Sequence, residues 1–425
     1  MNFSDLKLLE ADRRSMTFEL LDWENMIDED HLAKRIMVLI NEFNLSELYK
    51  TIQTRKFAQG RSAIDPKILL AIWLYATVKG LTSSREIADQ CAWEPGFRWI
   101  LGCGLTVKYV TLAEFRKNAG KALDTVMTQI VTLLLASGMA SSEEVALDGV
   151  KIKASAGKGS FRTKEELEEL RAEVENKIAN LKNIPKDSAH KAHLENKKAR
   201  IDRALELIPG IQKELEEGNK KRKKGTPVPK AKASSTDPDS RNMRFADGSF
   251  SPAYNAQVIT ASKGGIILTV DPTQRRNDTN LINPMIKDLK KRIGDGVAQV
   301  LVDTGYDSKL DVEEVIESGI KVYGSQKKQR KGTTEQSKKH LINKQKKDSQ
   351  VIKDWRELMA TDAAREVRKR RGRTEKVHGW IKHILSWQLN LRSIGGVKTE
   401  LLLLSSGYNL IRFFNMSDQV LTKPC

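Results

Sequence analysis

The chain lacks the side chains from which a disulfide scaffold or a zinc site is built. It contains three cysteines, Cys91, Cys103 and Cys425, an odd number with no two close together in sequence. None of its six histidines forms a pair with zinc-finger spacing relative to these cysteines. This usage fits a reducing cytosol and argues against both disulfides and a structural zinc ion.

Long apolar stretches are also missing. The longest, TELLLLSSGYNLIRFF near the C-terminus, is too short and too polar to span a bilayer. The opening stretch, MNFSDLKLLEADRR, is amphipathic and differs in pattern from a secretory signal peptide. We therefore expect a cytoplasmic protein without a membrane partner.

Acidic residues are too few to balance the basic ones. Lys and Arg total 73 against 55 Asp and Glu, which gives a formal net charge of +18. A chain this basic attracts polyanions, and nucleic acid is the first partner to consider, ahead of an anionic membrane surface. Its 425 residues are enough for two or three domains.

Residues 1–140 are predicted to form a helical N-terminal domain that binds DNA or mediates dimerisation. The stretch DPKILLAIWLYATVKGL is typical of a helix, with Pro66 as a start signal and Gly80 as a stop. TSSREIADQCA and GFRWIL predict two further short helices. This pair fits either a helix-turn-helix reader of DNA or plain helical packing, and the poorly defined turn favours packing.

Residues 160–235 are predicted to form a helical arm that ends in a basic loop. TKEELEELRAEVENKIANLKN and HLENKKARIDRALELI carry apolar residues at three- and four-residue spacing, which indicates an antiparallel helical hairpin. Pro209 and Gly210 are predicted to end its second helix. The tract GNKKRKKGTPVPKAKASS is rich in Lys and suits non-specific contact with phosphates.

With the arm set aside, residues 141–425 alternate between strand and helix patterns. Strands are predicted in EVALDGVKIKA, SPAYNAQVITA, IILTVDP, AQVLVDTGYDS and IKVYG. Helices are predicted to begin at Asn277 or Asp278, after VLVDTGYDS, and near Thr361, the last running to about Trp387. The order β-β-β-α-β-α-β-α predicts an α/β, ribonuclease H-like catalytic domain. In this mixed sheet the first and fourth strands are parallel neighbours.

The stretch EVALDGVKIKA allows two interpretations of Asp148. Asp-Gly between alternating apolar runs is a strong signal for a hairpin turn. Alternatively, Asp148 ends the first strand beside Asp303, which ends the fourth, at the edge where α/β sheets bind ligands. Adjacent carboxylates repel each other unless a cation lies between them, and Mg²⁺ or Mn²⁺ suits oxygen ligands. The matching Asp303 favours this second interpretation.

A third carboxylate is expected from the last helix, in REVRKRRGRTEKVHGWIKHILSW. Glu375 is the only acidic residue between Arg368 and Lys382. At about 100° per residue, Arg368, Arg371, Glu375 and Lys382 share one face of a helix. Arg371 and Lys382 then flank Glu375 along the helix and are placed to bind the phosphates on either side of the reacting one. The alternative is that Glu375 only forms intrahelical salt bridges with the neighbouring arginines.

The spacing R-(3)-E-(6)-K, met by Arg371, Glu375 and Lys382, resembles the signature of DDE transposases of bacterial insertion sequences, of the broad IS4/IS5 type. Other stretches resemble the same family in the same order: FAQGRSAIDPKILLAIWLYATVKGLTSSREIADQC, EVALDGVKIKASA, STDPDSR, FSPAYNAQVIT and VLVDTGYDS. The resemblance covers nearly the whole chain. Arg368 departs from it, because the family has a Tyr at this place, and the role of that Tyr is not carried over.

The resemblance implies that Asp148, Asp303 and Glu375 bind two divalent ions per active site, Mg²⁺ or Mn²⁺, and catalyse DNA cleavage and joining. The DNA is cut at the transposon ends, and the freed 3′-OH is joined to target DNA. Double-stranded DNA is the implied partner, and a homodimer is implied because two ends are brought together. The implied location is the bacterial cytoplasm, at the nucleoid. Alternatives are a ribonuclease H-like DNA nuclease and a domesticated, non-catalytic DNA-binding protein. DNA contacts are expected from Lys151, Lys153, Arg368, Arg371 and Lys382.

Overall fold

Helices fill the N-terminal part of the protein in the computed structural model, which describes residues 22–50, 52, 62–181, 188–219, 227–324, 348–385 and 388–421. These helices are α1 (Leu32–Glu42), α2 (Ser46–Tyr49), α3 (Pro66–Val78), α4 (Ser84–Trp93), α5 (Pro95–Leu101), α6 (Tyr109–Asn118) and α7 (Gly120–Ala136). Helix α3 is apolar on nearly every side and is buried among the others, with Leu70 and Ile72 fully covered. The predicted start of this helix at Pro66 is confirmed, and Gly80 follows its end with a φ of 83°.

The short helices α4 and α5 begin at caps that the sequence provides. The side chain of Ser83 accepts a hydrogen bond from the N–H of Glu86, and Glu94 accepts one from the N–H of Phe97. Ile87 and Phe97 turn inward and are fully buried. Each helix therefore has an apolar face that packs on the core, in agreement with the packing interpretation of this pair.

A mixed sheet forms the second layer. Within the described residues the strands are β1 (Ser141–Lys153), β2 (Phe161–Arg162), β3 (Ala233–Ser234), β4 (Arg241–Arg244), β5 (Phe250–Lys263), β6 (Ile267–Thr273), β7 (Gln299–Val302) and β8 (Lys321–Gly324). Strands β4 and β6 both pair with one edge of β5, and β1, β7 and β8 follow on its other side. Strands β1 and β5 are antiparallel, whereas β1–β7 and β7–β8 are parallel. The predicted parallel pairing of the first and fourth strands of the core is confirmed. Strand β4 was not predicted.

Strand β1 continues straight through Asp148 and Gly149 to Lys153. The hairpin interpretation is therefore wrong, and so is the prediction that Asp148 ends the strand. The physical reason is the length of β5, which pairs with β1 without interruption from Val145 to Lys153. On the other edge the parallel partner β7 stops at Val302, so Asp148 lies where β1 loses that neighbour.

The helices of the remaining chain are α8 (Lys164–Ala179), α9 (Ser188–Asn219), α10 (Ile282–Ile293), α11 (Lys309–Glu317), α12 (Gln350–Ala360), α13 (Asp362–Lys369), α14 (Thr374–Ile384) and α15 (Ile394–Leu421). The prediction of one helix from Thr361 to Trp387 is wrong, because a 3₁₀ segment at Arg370–Arg373 separates α13 from α14. This run of arginines contains Gly372, and both like charge and glycine disfavour a continuous α-helix. Trp387 lies outside the described residues.

Helix α10 is not capped by Asn277 or Asp278, as the sequence predicted, because it begins only after Leu281. Its first N–H groups instead bond to a carboxylate from α11. The N–H of Ile282 donates to Asp311 Oδ2 at 2.8 Å, and the next N–H donates to Asp311 Oδ1 at 2.9 Å. The capping role expected of Asp278 is therefore filled by another residue.

The arm is an antiparallel pair of helices with a small core of its own. Leu167 and Val174 of α8 pack against Ile201 of α9. The predicted end of the second helix at Pro209 is wrong, since α9 continues to Asn219 with this proline inside it. Buried isoleucines on both sides of the proline, at 208 and 211, give the helix tertiary contacts that offset the missing hydrogen bond.

The C-terminal helix α15 joins the N-terminal helices to the sheet by packing on α3, α7 and β6. Its buried Asn409 completes the edge of β6: Nδ2 donates to Ile267 O at 2.7 Å, and Ile267 N–H donates to Oδ1 at 2.8 Å. The N-terminal helices and the sheet therefore share one apolar core. Among the described residues no single helix is both long and apolar enough to cross a membrane, although α6 and α7, bent by 74°, pass that test as a pair.

Candidate active site

Asp148 and Asp303 lie next to each other because of the register between β1 and β7. The last parallel pair joins Ala146 to Leu301, and each aspartate lies two residues further along its strand. The side chains of both aspartates therefore point to the same face of the sheet as those of Ala146 and Leu301. The structure thus brings together the two aspartates that the sequence predicted, at the point where β7 ends.

The carboxylate of Asp148 is largely covered, with 17% of its side chain exposed. Its Oδ1 accepts a hydrogen bond from the N–H of Gly149 at 2.9 Å, and its Oδ2 accepts one from Arg371 Nη1 at 2.7 Å. Burial raises the pKa of Asp148 to about 6, although Arg371 acts in the opposite direction. Asp303 and Asp278 raise this pKa further through charge repulsion. A nearby cation would therefore stabilise the charged form of Asp148.

Asp303 is exposed and sits at the start of a 3₁₀ turn, Thr304–Tyr306. Its Oδ1 accepts hydrogen bonds from the N–H of Thr304 at 2.7 Å and from the hydroxyl of Thr304 at 3.0 Å. These bonds fix the orientation of this exposed carboxylate at the end of β7, in the space where β1 extends beyond β7 and which we call the crevice.

A third carboxylate, from Asp278, lies close to the backbone at Gly149 and Gly305, and sequence reasoning assigned it only a capping role. Its Oδ1 accepts hydrogen bonds from Asn255 Nδ2 at 2.7 Å and Gln257 Nε2 at 2.9 Å. The hydroxyl of the buried Tyr306 in turn donates to Gln257 Oε1. Burial raises the pKa of Tyr306, which keeps this hydroxyl neutral. One signal was visible in the sequence: Asn and Gln two residues apart on the same face of the buried strand SPAYNAQVITA.

The third predicted carboxylate, Glu375, is exposed on α14 and is not gathered with the two aspartates. Within the described ranges, no group of three or more His, Cys, Asp or Glu side chains is close enough to hold a metal ion. The residue that reaches Asp148 from this part of the chain is Arg371, in the 3₁₀ segment. The break in the helix therefore removes the shared face on which the sequence placed Arg371 and Glu375.

His378, one turn after Glu375, also faces Asp148. Its Nδ1 lies 3.8 Å from Asp148 Oδ2, and 12% of its side chain is exposed. Burial lowers the pKa of His378 to about 4, and the charges of Lys382 and Arg371 act in the same direction. The imidazole is thus neutral at physiological pH and does not neutralise the aspartate.

A cleft of about 840 Å³ opens beside Gly149, between the β4–β5 hairpin and α14. Several basic side chains line it, and Lys151 Nζ donates to the carbonyl oxygen of Arg244 at 2.9 Å. The cleft suits a phosphate backbone that passes next to the aspartates. Its charged lining residues are Lys151, Lys153, Arg244, Asp247, Asp278 and Lys382.

Arg368, the fifth predicted DNA contact, holds parts of the fold together. Its Nη1 donates to the carbonyl oxygens of Gly324, at 3.2 Å, and Met359, at 3.1 Å. These bonds tie α13 to the end of β8 and to α12. A contact of Arg368 with DNA stays a prediction.

Asp148 and Asp303 offer the donor chemistry that a hard divalent cation prefers, namely carboxylate oxygens in a basic surrounding. The guanidinium of Arg371, bound to Asp148 Oδ2, shows that a positive charge is already accommodated there. The two aspartates therefore fit a Mg²⁺ or Mn²⁺ ion, whereas Glu375 does not reach them in this conformation.

Two family models match the chain in succession. Residues 21–118 match "Transposase domain (DUF772)", and residues 225–410 match "Transposase DDE domain". The chain carries the two domains of a transposase. A DDE domain implies a ribonuclease H-like fold, with which the mixed sheet of this transposase agrees. The DDE match includes Asp303 and Glu375 and begins after Asp148. No curated protein and no solved structure matches the chain.

Replacement of Gly149 by Ala is expected to destabilise the transposase. A Cβ at Gly149 would lie 2.5 Å from Asp278 Oδ1, 2.7 Å from Gln257 Nε2 and 2.8 Å from Asn255 Oδ1. Asn255 and Gln257 are hydrogen-bonded to Asp278, so these three side chains cannot easily move aside. The crowding should therefore lower the free energy of unfolding by about 1–3 kcal/mol. Urea denaturation measures this change. The control is Gly157→Ala, whose Cβ meets nothing within 4 Å. Equal stability of Gly149→Ala and the control would contradict the described crevice.

Proposed function

We propose that this transposase cuts DNA at the ends of an insertion sequence of the broad IS4/IS5 type and joins the freed 3′-OH to target DNA. The observation that carries the proposal is the parallel pairing of β1 with β7, which sets Asp148 beside Asp303. The two transposase domain matches supply the biological context. Both aspartates act as catalytic residues by binding divalent cations at the reacting phosphate.

Two divalent cations, Mg²⁺ or Mn²⁺, are proposed for each active site, held by Asp148, Asp303 and Glu375. Such cations supply Lewis-acid activation of water and neutralisation of charge at the phosphate. In the described conformation Arg371 occupies one oxygen of Asp148, and Glu375 is exposed. We propose that binding of DNA and cations draws Arg371 from Asp148 to a phosphate and brings Glu375 inward. The 3₁₀ segment Arg370–Arg373 is the place where the backbone would change.

The DNA backbone is proposed to follow the basic cleft beside Gly149. Lys151, Lys153 and Lys382 line this cleft, and Lys153 is exposed. Contacts of this kind position the strand without reading its sequence. Since both transposon ends are held together, the working form is proposed to be a homodimer on double-stranded DNA, in the cytoplasm at the nucleoid.

Replacement of Asp148 by Asn tests the proposed chemistry. The purified transposase is incubated with Mg²⁺ and DNA that carries the sequences flanking its own gene, and 3′-end cleavage is measured. The loss of a cation ligand removes several kcal/mol of transition-state stabilisation, so cleavage should fall at least about a hundredfold while DNA binding persists. The control is Asp362→Asn, whose side chain is 91% exposed and pairs only with Arg365 among the described contacts.

Cleavage by Asp148→Asn at the rate of the parent would contradict the proposed metal site. Binding without cleavage by the parent itself would favour the alternative of a domesticated, non-catalytic DNA-binding protein.

Replacement of Arg371 by Ala is expected to strengthen cation binding. The change frees Asp148 Oδ2 and removes a positive charge that lies 2.7 Å from it. The affinity for Mn²⁺, measured by calorimetry without DNA, should rise about three- to tenfold. The control is Arg370→Ala, which removes the same charge from a pair with Glu144 at 2.8 Å. An unchanged affinity would show that Arg371 does not compete with the cation.

A further inference from the structure

Asp278 lies at the proposed active site without the capping role that its sequence position indicates. The first N–H groups of α10 bond to Asp311, and the cap residue Leu281 follows Asp278 by three positions. Asp278 is half-buried, and its side chain turns away from this helix toward the sheet. Helix capping therefore does not explain why residue 278 is an aspartate.

The carboxylate of Asp278 lies between the residues that follow the two proposed catalytic aspartates. Gly149 lies against both carboxylates. Its N–H donates to Asp148 Oδ1 at 2.9 Å, and a Cβ atom added at this glycine would lie 2.5 Å from Asp278 Oδ1. Gly305, two residues after Asp303, would place a Cβ 3.1 Å from Asp278 Oδ2. The glycines of LDG and VDTG therefore leave room for the carboxylate of Asp278.

The orientation of Asp278 is fixed by buried amides. Asn255 and Gln257, each 1% exposed, both donate to its Oδ1. Tyr306, fully buried, holds Gln257 by a further hydrogen bond. Carboxylates that bind metal ions are typically held in this way, with hydrogen bonds from surrounding groups that set their orientation.

We propose that Asp278 is a further acidic residue of the metal site and that it contributes to cation binding together with Asp148 and Asp303. The inference rests on the proposed function and adds a residue to its site. In the described conformation Asp278 and the two aspartates are not close enough together to hold an ion as a group. The proposal therefore requires that the three carboxylates move together when Arg371 leaves Asp148. The competing explanation is that Asp278 serves only as hydrogen-bond acceptor for Asn255 and Gln257.

Replacement of Asp278 by Asn separates the two explanations. The new side chain keeps a carbonyl oxygen that can accept both amide hydrogen bonds, but it loses the negative charge. Binding of Mn²⁺ to the full-length transposase is measured by calorimetry in the absence of DNA, with thermal unfolding as a check on the fold. The matched control is Asp247→Asn, which removes the same charge from an exposed side chain of the same cleft. Asp148→Asn is the reference for a lost ligand.

Asp278→Asn is expected to weaken Mn²⁺ binding at least about tenfold, and Asp247→Asn less than about twofold. Parent-like affinity in Asp278→Asn, with binding lost in Asp148→Asn, would overturn this inference and leave the proposed function intact. Equal weakening in Asp278→Asn and Asp247→Asn would also overturn it, since only the general charge of the cleft would then matter. A parent that binds no Mn²⁺ without DNA would overturn this inference, whereas the proposed function is tested separately by the cleavage assay with DNA.

Discussion

The parallel pairing of β1 with β7 is the constraint on which the proposed site depends. Its register, with Ala146 opposite Leu301, decides which side chains come next on the two strands. A slip of one residue would turn Asp148 to the other face of the sheet. On its other edge β1 is held by β5 as far as Lys153, so it extends past the end of β7 without losing both partners. The result is a mid-strand carboxylate that borders an open crevice.

The negative charges of the three aspartates are each stabilised by different partners. Asp148 is paired with Arg371, Asp303 accepts hydrogen bonds from Thr304, and Asp278 accepts them from two buried amides. Of these interactions only the first involves a charge, and a divalent cation competes with it most directly. An arginine displaced in this way is also well suited to a phosphate, because its planar guanidinium forms paired hydrogen bonds with phosphate oxygens.

Five strands of the core sheet and their order along the chain could be predicted, because alternation and buried apolar runs mark them clearly, whereas β4 was missed. The proximity of Asp148 and Asp303 followed from that order, since their two strands are parallel neighbours. The continuation of β1 past Asp148 could not be predicted, because it depends on the length of pairing with β5. The break at Arg370–Arg373 and the contact of Arg371 with Asp148 are likewise tertiary effects. The prediction that Glu375 and Arg371 share a helix face assumed an unbroken helix. Because the helix is broken at Arg370–Arg373, this prediction placed Glu375 wrongly relative to Arg371. The position of Asp278 depends on its contacts with Asn255 and Gln257, which are remote in sequence.

The most direct test of a cation site between β1 and β7 is a crystal structure of the transposase with Mn²⁺ and DNA from its own ends. Anomalous scattering locates Mn²⁺ independently of any assumption about its ligands. The account predicts anomalous peaks within coordination distance of Asp148 and Asp303, about 2.0–2.3 Å from their carboxylate oxygens. It also predicts that Arg371 has left Asp148. A DNA-bound structure in which Arg371 still pairs with Asp148, and Mn²⁺ binds elsewhere or not at all, would contradict it.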